Sequence, residues 1–260
     1  FRQSAVQHGN GHFKRIKTLL DEIQHGIPGE IEKILSDTGS GVAKKYMPLY
    51  LSQLEKMPVT SAKLTRMYFN DWDNNMNTSS VAATLYNVIS SQLIYEIFKD
   101  EMPEFSRDIQ VYFSLVEEDF YRMLDEDQAG FFDDTGTIRR IETRDMIFDR
   151  SFLHSLRFMN ESMGPFMEKW EWGSLHNARM RIPLVGGYFS LYSKLFNVNP
   201  VSLEGSYDTI LKSSTSYTEG MAVSDATVVS SYIWNGVIHH SLRTGISLNP
   251  FSTYYGMMDN

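Results

Sequence analysis

Apolar residues recur at helical spacing along the chain as far as Trp170, and β-branched and aromatic clusters replace that pattern afterwards. After Phe13, residues Ile16, Leu19, Leu20 and Ile23 fall at i, i+3, i+4 and i+7, one face of an amphipathic helix. Gly26-Ile27-Pro28-Gly29 ends it, and Pro28 suits the first turn of a short helix carrying Ile31, Ile34 and Leu35. Gly39-Ser40-Gly41 reads as a turn, and Tyr46 to Leu54 as a helix start or a bend at Pro48. Thr60 or Ser61 is expected to cap a helix running to Asp71-Trp72-Asp73. Ser79 or Ser80 caps the next, which carries Leu85, Val88, Ile89, Ile94, Ile97 and Phe98. Two more helices are predicted, one over Arg107 to Leu124 and one from Thr143 through Ile147, Leu153 and Leu156.

The change of character falls at Trp170-Glu171-Trp172-Gly173-Ser174-Leu175-His176, which marks a seam between a helical and a strand-rich half. On its own this stretch reads as a buried aromatic hinge with a histidine hydrogen-bonded locally. Beyond it, Tyr207–Leu211 and Thr227–Ile238 are rich in Val, Ile, Thr, Tyr and Trp and read as strands. The tail from Gly245 to Ser252 is loop-like. Helices followed by strands that return to a sheet predict an α+β fold, with residues 1–168 a mainly helical lobe. Residues 169–260 would be a strand-rich segment completing a shared core, so the chain reads as one domain rather than two.

Composition narrows the function. A formal charge of −8 without a Lys/Arg run argues against a nucleic-acid surface. The absence of cysteine excludes disulfides, thiolate metal sites and a cysteine nucleophile. No apolar run approaches the length of a membrane span. A start at Phe1 reads as a processed product or a fragment.

Asp71-x-Asp73-x-Asn75-x-Asn77 has the alternating oxygens of a calcium loop, but Met76 holds the glycine position and Ala82 the closing glutamate position. A capped polar turn is the simpler reading, and no metal is expected. His239 and His240 are adjacent, so on a strand they face opposite ways and do not share an ion. There is no G-x-S-x-G elbow, phosphate-binding loop or dinucleotide fingerprint. The residues alone show no self-sufficient active site.

Several stretches in order resemble the penicillin amidase family of N-terminal nucleophile hydrolases, in the C-terminal part of the large chain. His12 to Leu20 is similar to that family's R-x-x-R-I-x-x-L-L helix, with His12 in place of the first arginine and Arg15 three residues on. Trp72-Asp73 resembles its W-D-G loop, and Ser79 to Tyr86 the Ala-rich helix after it. Trp170 to His176 matches W-x-W-G-x-L-H, and Gly205 to Ile210 resembles a G-x-x-x-T-V strand. Gly245-Ile246-Ser247-Leu248-Asn249-Pro250-Phe251-Ser252 resembles G-Q-S-G-N-P-F-S, with Ile246 and Leu248 as departures.

The resemblance implies a four-layer α/β/β/α sandwich and hydrolysis of linear amides through an acyl-enzyme on an N-terminal serine. Its α-amine, with a pKa near ~8, acts as base, and backbone N–H groups with an asparagine hold the oxyanion. Serine and asparagine would lie upstream of Phe1, so no catalytic residue is expected in this chain and the chain alone would be inactive. His12 and Arg15 are candidates for active-site support, and Trp72, Asp73, Trp172, Gly173, His176, Gly245 and Ser247 for structural motif positions. No cofactor is implied, the family's calcium ligands lying mostly outside this stretch. The implied partners are the upstream chain of the same precursor and a small amide substrate; an exported location follows from the resemblance only. The alternative is a non-catalytic binding or structural protein that retains the fold.

Overall fold

The computed structural model describes residues 14–23, 28–100, 113–126, 130, 132–133, 136–137, 141–178, 201–211, 213–216, 223–226, 230–234 and 237–241. Helices dominate them: α1 (residues 14–21), α2 (Pro28–Leu35), α3 (Gly41–Lys56), α4 (Thr60–Asn70), α5 (Val81–Phe98), α6 (Phe113–Glu126), α7 (Arg144–Met163) and the one-turn α8 (Trp172–Leu175). A 3₁₀ turn at Met167–Lys169 joins α7 to α8.

The molecule is arranged around α5. Its sequence is apolar on every side, as a helix enclosed by its neighbours must be, and its buried residues run almost without a break from Ala82 to Phe98. Helices α4, α7 and α8 pack directly on it. Tyr50 of α3 sits where these helices meet. Its ring lies 5.4 Å from both Tyr86 and Phe148 and 6.4 Å from Phe69, edge-on to the last two. Its hydroxyl shares a 2.7 Å hydrogen bond with Ser90, so the polar end of a fully buried ring is satisfied. Near the other end of α5, the carboxylate of Glu96 is only 2% exposed and is met by Lys99 (2.9 Å), Arg150 (2.6 Å) and His154 (2.9 Å). That cluster fastens α5 to α7 through charges that would be costly to leave unpaired.

Local signals set most helix starts. Ser80 caps α5 by accepting from Ala83 N at 3.1 Å, and Thr143 caps α7 through Met146 N at 3.4 Å. Pro28 opens α2. Three expectations are corrected. Helix α3 begins at Gly41 and runs straight through Pro48, because buried Ala43, Tyr46, Met47, Tyr50 and Leu54 anchor it on both sides while Pro48 faces solvent. Neither Thr60 nor Ser61 caps α4; its N-cap is Val59, with no side-chain bond. Tyr207–Leu211 is a run of turns, since Thr209 Oγ1 accepts from Ser206 N (2.9 Å) and donates to nearby carbonyls instead of leaving the backbone to a ladder. Residues 107–112 of the predicted helix lie outside the described residues.

The described strands pair antiparallel and only two by two: β1 (Asn177–Ala178) with β2 (Val201–Ser202), β3 (Ser213–Ser216) with β4 (Val223–Ala226), and β5 (Ser230–Trp234) with β6 (Val237–Ser241). The helix-then-strand order is as expected, but among the described residues the strands make three separate ribbons and no sandwich. Among the same residues no helix is long and apolar enough to cross a membrane.

Candidate functional site

The motif stretches converge in a knot of four loops. The first surrounds Trp72 and Asp73. Asp73 turns the chain by accepting from Asn75 N (2.9 Å) and Asn75 Nδ2 (2.6 Å), and Trp72 Nε1 donates to Asn75 O at 3.0 Å. Asn74 between them has φ 62°, a left-handed conformation that asparagine tolerates better than most residues. Loop 37–40 pairs with this turn: Ser40 N donates to Asn74 O, Met76 N to Thr38 O, and Gly39 bridges Asn75.

The third loop is the tryptophan motif. Trp172 N donates to Ser80 O (3.1 Å) and Gly173 N to Thr78 O (2.7 Å), which pins the motif onto the start of α5. Gly173 is needed for that approach, since a Cβ there would stand 2.8 Å from the side chains of both Thr78 and Ser202. Trp172 is fully buried, its Nε1 donating to Gly205 O at 2.9 Å. His176 stacks on it with centroids 4.4 Å apart and planes 9° off parallel.

His176 faces Leu203 O at 2.8 Å through Nδ1, so that nitrogen carries the proton. Burial lowers its pKa from 6.5 to about 4, against a smaller opposing effect of the Leu203 hydrogen bond. The ring is neutral near pH 7 and sealed from solvent, a brace rather than a base.

The fourth loop, 201–211, closes the knot. Gly205 N donates to Met76 O, Leu211 N to Asp37 O, and Leu203 N to His176 O. At its centre the buried carboxylate of Asp208 accepts hydrogen bonds from the hydroxyls of Ser40 and Ser206. Ser40 in turn accepts from Ala43 N at 2.8 Å and caps α3. Both serines are therefore committed to structure. Beside them Tyr121 and Tyr207 share a 2.7 Å hydrogen bond, and burial drives the phenols of Tyr86 and Tyr121 well above the ordinary range.

Against this knot lies a cleft of about 870 Å³, between α1, the start of α3, the Asp73–Asn75 turn and α6. Arg15 forms one wall. Its guanidinium is held by Asp37 through Nε (3.0 Å) and Nη2 (2.5 Å) and lies across Gly39, where a Cβ would come 3.0 Å from Nη2. The pair raises the arginine pKa, the Asp37 hydrogen bond being the largest cause. Lys45 and Asp125 pair at 2.9 Å on the far wall. Among the described residues no group of His, Asp or Glu is arranged to hold a metal ion. The cleft offers polar surface and room, with charges of both signs, and Ser40 and Asp208, which reach its lining, are hydrogen-bonded to each other as part of the knot.

Of the residues singled out by sequence, Trp72, Asp73, Trp172, Gly173 and His176 meet in the knot, and Arg15 stands at the cleft beside it. His12, Gly245 and Ser247 lie outside the described residues. Sequence reasoning missed Ser40, Ser206, Asp208 and Asn74. Ser40 directly precedes an apolar helical period, which is a cap signal, but Gly39 and Gly41 disguised it as a plain turn. Ser206-Tyr207-Asp208-Thr209 has turn composition, yet Tyr207 and Ile210 favoured a strand.

The sequence model of a known family, penicillin amidase, matches residues 12–258. No curated protein matches the chain.

Proposed function

Because this chain belongs to the penicillin amidase family, a family of hydrolytic amidases, we propose that it is the C-terminal portion of an enzyme that cleaves linear amides. In this reading a serine heading an upstream segment attacks the amide carbonyl. Its own α-amine takes the hydroxyl proton and returns one to the leaving amine, and water then hydrolyses the acyl-enzyme. Backbone N–H groups and an upstream asparagine stabilise the oxyanion.

The family match over nearly the whole chain carries the proposal. Two structural facts support the division of labour. The hydroxyls of Ser40 and Ser206 are bound to Asp208, and the imidazole of His176 is buried against Trp172, so these groups serve as scaffold. The three two-stranded ribbons also fit strands that finish larger sheets, because an isolated two-stranded ribbon is marginal in water. With the upstream segment they would join a four-layer sandwich, residues 1–168 and 169–260 sharing its core. Arg15, fixed by Asp37, would stiffen the wall of the cleft at the start of α1, and export from the cytoplasm accompanies this reading.

The test is to purify the protein from its intact gene, weigh its complexes by native mass spectrometry and sequence the N-terminus of every chain. A chain beginning with serine, either continuous with these residues or bound to them, is expected, and Ser→Ala at that residue should abolish amide turnover while leaving the protein folded. A folded 260-residue chain without a companion would overturn the proposal and favour the non-catalytic alternative.

A further inference from the structure

We draw no further inference here: the strongest candidate, the cleft of about 870 Å³ between α1, the start of α3, the Asp73–Asn75 turn and α6, has its Arg15, Lys45 and Asp208 already bound to Asp37, Asp125 and Ser40, and nothing in the structure shows what occupies it.

Discussion

His176 illustrates how a residue with catalytic chemistry is turned to structure. Enclosed by Trp172 and bound to Leu203 O, it protonates only near pH 4, whereas an unfolded imidazole does so near 6.5. Between these values the unfolded chain binds more protons, so stability rises with pH across that window, is complete above about 6.5 and is lost toward 4. The difference amounts to roughly 3 kcal/mol at ~1.4 kcal/mol per pH unit. Urea unfolding of the wild type and of His176→Gln from pH 4 to 7 should show a pH slope in the former that is flattened in the latter. Equal slopes would place the titrating group elsewhere. Gly205 makes a steric prediction of the same kind. Its φ of 80° suits glycine, and a Cβ there would run into the Leu211 carbonyl. Gly205→Ala is expected to cost more than about 2 kcal/mol by urea unfolding, above the ~1 kcal/mol of an ordinary left-handed glycine, because backbone must also move.

At the scale of elements, the helices differ in how their ends are held. Thr143 caps α7 by one long bond, so Thr143→Ala should cost about 0.5–1 kcal/mol. Ser40 caps α3 and also donates to the buried carboxylate of Asp208, joining the helix to the 201–211 loop. Ser40→Ala should therefore cost roughly 2–4 kcal/mol, the cap together with an acceptor left short of a donor. Matching losses in the two variants, measured by urea unfolding, would mean that Asp208 finds another donor. The same comparison explains what was legible locally. The cap of α5, expected at Ser79 or Ser80, formed at Ser80, and the helix expected to start at Thr143 has that residue as its cap, in both cases a hydroxyl placed ahead of an apolar period. The one at Ser40 was hidden by its glycines, and α3 passed Pro48 because burial on either side outweighs one lost hydrogen bond.

Over the whole molecule, the sequence by itself determined the helix-then-strand order and the motifs that identify the family. Those properties are written in periodicity and in residue types with narrow tolerances, and both survive without neighbours. Tertiary structure alone decided that four loops far apart in the chain lock together, with Leu211, Gly205 and Leu203 donating backbone N–H groups to the carbonyls of Asp37, Met76 and His176. It also decided that Ser40 and Ser206 share Asp208 and that Arg15 answers to Asp37. Backbone hydrogen bonds between loops carry no side-chain signature, and a carboxylate's partner depends on which loops fold over it. The apolar face of α1 joins the two levels, since its period is plain in the sequence and its exposure appears only once the helix is set against the rest of the chain.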